Sequence, residues 1–163
     1  MNYSSKAPKV TDINKIMEIE NSGFSKEEAS TSASMLERIE QLSDTFIVAY
    51  DEQQNPLGYI VGPATTSRFI TDDLFEKSVS NKENAPYQTV LSLVVAPDQQ
   101  NQGIAGQLLE HFASLAKQQN RKLITLTCLE KLIPFYERHG YVVDGISDSQ
   151  HAGETWFNMT KIL

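Results

Sequence analysis

Cysteine is almost absent: Cys128 is the only one in 163 residues, so no disulfide can form within the chain. A lone thiol inside an apolar run suits a reducing compartment and reads as a buried structural group. No apolar run approaches the roughly 20 residues that cross a bilayer. The opening MNYSSKAPKVTD lacks the apolar centre of a secretory leader. These absences predict a cytoplasmic chain with no membrane partner. Histidine is scarce, and His111, His139 and His151 share no ligand spacing with one another or with Cys128, so no metal is expected. Basic residues are the minority, 14 against 21 acidic, for a net charge of −7. That balance argues against nucleic-acid binding; it serves solubility and also suits a small cationic partner. The G-x-G-x-x-G fingerprint is missing, which counts against a Rossmann-type nucleotide module.

What is present centres on Tyr87 to Gln119. Val90 to Val95 is a continuous β-prone run closed by Ala96-Pro97-Asp98. Ile104, Leu108, Phe112 and Leu115 then recur at helical spacing, with Leu109 and Ala116 beside them. Between strand and helix lies Gln100-Asn101-Gln102-Gly103-Ile104-Ala105-Gly106. A helix starting at such a small-residue turn presents unpaired N–H groups and its positive end, a setting for a phosphate.

Before this unit, residues 2–5 make a weak first strand. Thr11 or Asp12 can cap a helix reaching Phe24, and a second helix spans about Ser32 to Leu42. Residues 1–44 hold eight acidic against five basic residues, some of the chain's negative charge, which would attract an ammonium if they lined a substrate mouth and otherwise marks a solvated face. Thr45–Tyr50 and Leu57–Val61 form a hairpin stopped by Pro63. A short helix follows Thr71-Asp72-Asp73 through Lys77, and the polar Ser78–Pro86 stretch reads as an exposed, mobile loop. After the central unit come a strand at Lys122–Cys128, a short helix at Lys131–His139 stopped by Gly140, a strand from Tyr141, and a last strand at Thr155–Ile162. This order is that of a mixed α/β sheet around a central parallel βαβ unit, in one domain covering 1–163.

Gln100-x-x-Gly103-x-Ala105 resembles the (Arg/Gln)-x-x-Gly-x-(Gly/Ala) signature of the GNAT superfamily of acetyl-CoA-dependent N-acetyltransferases. Pro134-Phe135-Tyr136-Glu137-Arg138-His139-Gly140-Tyr141 is similar to the family's FYxxxGF ending, and the likeness runs from Thr45 to Leu163. Within the superfamily, Leu93-x-Val95, Gln102-Gly103 and Cys128-Leu129-Glu130-x-x-Ile133-Pro134-Phe135-Tyr136-Glu137 look most like serotonin (arylalkylamine) N-acetyltransferase. The resemblance implies a mainly antiparallel twisted sheet of six to seven strands with about four helices. It implies acetyl-CoA as co-substrate, lying in a V between the strands at Val90–Val95 and Lys122–Cys128. Leu93, Val94 and Val95 would pair with the pantetheine arm. Backbone N–H groups of Asn101, Gln102, Gly103, Ile104, Ala105 and Gly106 would cradle the pyrophosphate, with Gln100 also binding the cofactor. Tyr136 would sit at the sulfur as general acid, and a backbone N–H near Leu93 would polarise the thioester.

The expected activity is acetyl transfer to a primary amine by direct attack in a ternary complex. The acceptor would be an arylalkylamine or another small amine. The alternatives are a protein amino terminus as acceptor, or a non-catalytic acyl-CoA-binding module of the same fold. The two histidines of the serotonin enzyme's strand are replaced by Thr89 and Leu91, neither of which is a base. Glu20, or water touching Thr89 or Ser92, could substitute. His151 lies in a loop, and His111 and His139 read as helix-surface residues. Substrate-side candidates are Glu20, Phe24, Thr89 and Leu91, with Phe69, Trp156 and Phe157 as further aromatics. Both a monomer and a homodimer fit the sequence.

Overall fold

The computed structural model describes residues 4–76, 79–149 and 151–163. Asn2, Tyr3 and Lys77, at the ends of two expected elements, lie outside the described residues, as do the side chains of Glu76 and His151. In chain order the elements are β1 (Ser4–Lys6), α1 (Ile13–Gly23), α2 (Ser32–Gln41), β2 (Phe46–Tyr50), β3 (Pro56–Val61), β4 (Ala64–Thr65) and α3 (Asp73–Glu76). They continue with β5 (Tyr87–Val90), β6 (Ser92–Val95), α4 (Ile104–Gln118), β7 (Leu123–Cys128), α5 (Ile133–Glu137), β8 (Val142–Ile146) and β9 (Phe157–Ile162). Four strands form one sheet in the order β1-β2-β3-β6, and five form another in the order β4-β5-β7-β9-β8. Every pair is antiparallel except β5–β7, which α4 joins as the expected parallel βαβ unit.

The mixed, mainly antiparallel α/β architecture is the one expected. Its strands exceed the expected six or seven because β1 and β4 are short and the central run divides. Val90 to Val95 reads as one strand, but it breaks at Leu91. The Leu91 N–H donates to the Val61 carbonyl at 2.8 Å, while the Thr89 N–H and hydroxyl both donate to the Pro63 carbonyl, at 3.0 and 2.7 Å. The end of β3 therefore passes directly over the break. A Cβ on Gly62 would lie 2.1 Å from the Thr89 carbonyl oxygen, so only glycine allows the approach. β5 stays beside β7 as far as Val90 opposite Leu126, and β6 turns away to pair with β3. Beyond that point β6 and β7 diverge, which makes the V.

Each sheet face has its own helices. Ile104, Leu108, Leu109, Phe112 and Ala116 of α4 are buried against a cluster that includes Leu126, Cys128, Tyr136 and Tyr141. Ile16 and Ile19 of α1 and Met35 and Ile39 of α2 are buried with Val48, Tyr59 and Val94. The end of α1 sits hard on β6: a Cβ on Gly23 would lie 2.4 Å from Cγ1 of Val94. This seating carries Glu20 and Phe24 to the V. Asp12 does not cap α1; its carboxylate accepts from the Lys9 N–H (2.9 Å) and the Tyr50 hydroxyl (2.5 Å). The polar loop before β5 is tied down rather than free over residues 82–85. Nη1 of Arg121 donates to the carbonyls of Lys82, Glu83 and Ala85 at 3.0, 3.0 and 2.8 Å. Among the described residues no helix is long and apolar enough to cross a membrane.

Candidate active site

The open edge of β6 begins the site. The Ala96 N–H donates to the Leu57 carbonyl at 2.8 Å, one register step beyond Val95 opposite Gly58. Antiparallel pairing alternates, so Val94 turns its N–H and C=O to β3, and Leu93 and Val95 turn theirs to the open side. The Val95 carbonyl already accepts from Nε2 of Gln100 at 3.2 Å. Of the three strand residues expected to meet a pantetheine arm, Leu93 and Val95 thus face the cleft with their backbones, and Val94 does not.

A cavity of about 830 Å³ lies between this edge, the start of α4 and α5. Gln100, Asn101, Gly103, Ile104, Ala105 and Gly106 line it, whereas Gln102 lies outside the lining. Asn101 (φ 65) and Gly103 (φ 79) are both left-handed, so the chain reverses sharply and α4 starts at once. No side chain caps the helix, and its first internal bond runs from the Gln107 N–H to the Gly103 carbonyl at 3.1 Å. The N–H groups of Ile104, Ala105 and Gly106 are left without helical partners, a cradle for an anion at the positive end of a 15-residue helix.

Arg138 and His139 also line this cavity, as does Glu110 of α4. The imidazole lies against the turn so closely that a Cβ on Gly106 would be 2.8 Å from Cε1 of His139. His139 is therefore a wall of the anion cradle and not a plain surface residue. The helix expected over Lys131–His139 is shorter, so Arg138 and His139 lie in the turn after α5, where no helical periodicity shows which way they point.

A smaller cavity, about 100 Å³, opens past the ends of β5 and β7. It shares Leu93, Leu132 and Tyr136 with the first. Tyr136 thus stands at the junction of a phosphate-ready cleft and a mostly apolar chamber. Only 8% exposed, its ring meets Phe135 and Tyr141 edge-on, with centroids 5.1 and 5.7 Å away. Burial, and then the neighbouring Cys128, raise the phenol's pKa, so the hydroxyl keeps its proton throughout the neutral range.

Cys128 also lines the chamber, and burial pushes its thiol up to about 11 from an ordinary value of 9.0. At pH 8 that leaves about a hundredfold less thiolate than an exposed thiol would carry. A chromogenic disulfide reagent at pH 8 should leave the native thiol largely unmodified over minutes and titrate one equivalent after denaturation. Fast native labelling would contradict the burial.

Phe24, Leu91 and Trp156 line the chamber, as does Glu20 from the last turn of α1. Both Glu20 oxygens are engaged: Oε1 accepts from the Tyr59 hydroxyl and Oε2 from the Ser30 N–H at 2.7 Å. Arg38, 1% exposed, lies behind them. Burial lowers its pKa while Glu20 and Tyr59 oppose that shift, and burial followed by Glu20 raises that of Tyr59. Glu20 therefore ties the α1–α2 connection to β3, and with Glu28 makes the chamber acidic; among the described residues no lysine or arginine lines it. Thr89 lies outside both cavities, its hydroxyl taken by Pro63. Phe69 and Phe157 are also outside them. Sequence reasoning passed over Glu28, Ser30, Phe75, Leu132 and Ser149, all lining residues drawn from connections or short elements. Among the described residues no three His, Cys, Asp or Glu side chains are placed to hold a metal ion.

A family model described as an acetyltransferase (GNAT) domain matches residues 13–163. The chain belongs to the GNAT acetyltransferase family. Solved structures agree on the fold. Ard1 from Thermoplasma volcanium is 20% identical, with 100% of this chain and 99% of that one covered and a TM-score of 0.79. The PaiA N-acetyltransferase from Thermoplasma acidophilum, in complex with coenzyme A, is 16% identical over 100% of both chains, with a TM-score of 0.76. A chain of the NatC complex bound to Gag peptide and coenzyme A is 16% identical over 100% of this chain and 99% of that one, with a TM-score of 0.77. No curated protein matches the chain. The likeness shown is to the GNAT family as a whole, and the particular resemblance to serotonin N-acetyltransferase finds no support in these matches. Acetyl-CoA is the co-substrate of such a domain. The residues here fit it: unpaired N–H groups for its pyrophosphate and an open strand edge for its amide-bearing arm.

Proposed function

We propose that this GNAT domain, taken as one unit over residues 1–163, transfers acetyl from acetyl-CoA to a small primary amine by direct attack in a ternary complex. The observation that carries this reading is the position of Tyr136, which lines both the cleft with the anion cradle and the acidic chamber. The lone pair of the neutral amine attacks the thioester carbon, the C–S bond breaks, and the Tyr136 hydroxyl donates its proton to the departing sulfur. The proton shed by the amine nitrogen returns to the tyrosine oxygen through water. The Leu93 N–H, facing the open edge, polarises the carbonyl oxygen. Glu20 and Glu28 draw the cationic amine toward the chamber. Thr89 is engaged elsewhere and Leu91 is apolar, so neither supplies the base that the serotonin enzyme takes from its histidines.

A chamber of about 100 Å³ favours a small acceptor, arylalkylamine or alkylamine, over a long one fully enclosed. A protein amino terminus is the second reading, supported by the Gag peptide bound to the NatC complex, one chain of which is structurally similar to this one. A cytoplasmic location suits the single buried thiol. The test is release of free CoA thiol from acetyl-CoA over a panel of arylalkylamines, alkylamines, polyamines, aminoglycosides and amino-terminal peptides. Turnover with small amines supports the proposal. Turnover with peptides alone moves the acceptor to protein termini, and tight acetyl-CoA binding without any turnover makes the chain a binding module.

A further inference from the structure

The side chain of His139 is held in place at the anion cradle, yet its polar atoms are unused. The imidazole seats on the first turn of α4 because Gly106 has no Cβ: one built there would lie 2.8 Å from Cε1 and 3.3 Å from Nε2. Glycine weakens a helix relative to alanine, and here it makes room for the ring. The ring also packs on Phe135, with centroids 5.0 Å apart. The backbone of the residue is fixed as well. Its N–H donates to the Tyr136 carbonyl at 2.9 Å, and its carbonyl accepts from Nζ of Lys161 at 2.9 Å. Neither ring nitrogen has a hydrogen-bond partner among the described residues. The half-buried ring lines the same cavity as the unpaired N–H groups of Ile104, Ala105 and Gly106.

Charge decides what the ring can do there. Histidine is the side chain whose ordinary pKa, about 6.5, puts its change of charge near neutrality. A cation beside the positive end of a helix is disfavoured, and an anion held at that end reverses the sign. The charged and titratable groups around the ring are few. Glu110 of α4 and Arg138 line the same cavity, and Lys161 arrives from β9 at the His139 carbonyl. Tyr136 and Tyr141 are phenols whose pKa burial raises. Glu137 and His111 lie outside the lining. By their ordinary chemistry a carboxylate, a guanidinium, an ammonium and a phenol each hold one charge between pH 6 and 8, and an imidazole does not.

We propose that His139 takes up a proton as acetyl-CoA binds and that the imidazolium closes the cradle on the pyrophosphate, so that cofactor affinity weakens as pH rises through neutrality. The inference rests on acetyl-CoA as the ligand of the cradle and adds the regulation of that site. The proton comes from solvent, stays on the ring while the anion is bound, and leaves with coenzyme A. The acceptor amine pulls the other way, since it must be neutral to attack. Cofactor capture and amine attack therefore have opposite pH slopes.

Calorimetric titration of 3′-dephospho-CoA into the full chain isolates this step. That ligand keeps the pyrophosphate and lacks the 3′-phosphate, a kind of group whose own second ionisation falls near pH 6. Its Kd should rise about fivefold to tenfold from pH 6 to pH 8. Titrations at pH 7 in buffers of different ionisation enthalpy should show uptake of about half a proton. His139→Gln keeps a hydrogen-bond donor and removes the titration. Its Kd should change by less than about twofold over the same range, without proton uptake, while thermal unfolding checks that the variant is folded. A merely structural histidine would alter affinity equally at every pH. The proton uptake is measured on the parent and does not depend on how the variant folds. A parent Kd flat with pH overturns the proposal, as does a pH slope that His139→Gln retains. If dephospho-CoA binds at no pH, the cofactor reading falls and takes the proposal with it; binding with a flat profile removes the proposal alone.

Discussion

Tyr136→Phe should lower kcat by about 10²- to 10³-fold while changing the affinity for acetyl-CoA less than about threefold. The substitution removes one oxygen and leaves the ring packed against Phe135 and Tyr141. What is lost is a hydroxyl that lines both cavities and is held in its protonated form by burial. A thiolate leaving group benefits from a proton only as the C–S bond breaks, so the interaction belongs to the transition state and its loss appears in kcat. Steady-state kinetics with calorimetric binding of acetyl-CoA separate the two quantities. An unchanged kcat would remove Tyr136 as the acid. Water could reach the sulfur in the variant, so the residual rate should depend on solvent access and not vanish.

Gly103→Val should weaken acetyl-CoA binding by about tenfold to a hundredfold. The reason is conformational rather than steric. Nothing lies within 4 Å of a Cβ built at this position, but the residue sits at φ 79, where a β-branched side chain is strained by about 1 to 3 kcal/mol. The turn can relieve that strain only by rotating its peptide groups, and those groups lead into the unpaired N–H row of Ile104, Ala105 and Gly106. Acetyl-CoA binding measured by calorimetry should fall, and thermal unfolding should shift only modestly because Gly103 is exposed and packs against nothing. Unchanged affinity would mean that the pyrophosphate is held elsewhere. Gly103→Asn offers an internal comparison. Asparagine tolerates left-handed backbone better than valine, so it should retain more of the binding.

The sequence was most informative where one element serves one purpose. The spacing of Ile104, Leu108, Phe112 and Leu115 specifies α4 because a helix packed on a sheet must bury one stripe. Gly103 marks the turn because a left-handed residue ahead of an uncapped helix calls for glycine, and the signature residues around it gave the family. Tyr136 was legible from the segment it shares with the family's ending. The break at Leu91 was not. An apolar strand satisfies its period equally well in either sheet, and the deciding contact comes from Gly62, 29 positions earlier, meeting Thr89. Arg138 and His139 escaped for a related reason, since they lie in the turn after α5, which has no stripe to read.

By itself, then, the chain's sequence determined the order of its main elements and the glycine turn ahead of α4, which follow from local periodicity and short-range backbone demands, while the family was read from the resemblance of its signature residues. Only the tertiary structure decided where β6 leaves β7, that Leu93 and Val95 face the cleft while Val94 does not, and that Thr89 lies outside both cavities. It also decided that Glu20 is held by Tyr59 and Ser30. Each of these is a contact between residues far apart in the chain, and local spacing carries no information about which distant segment will arrive.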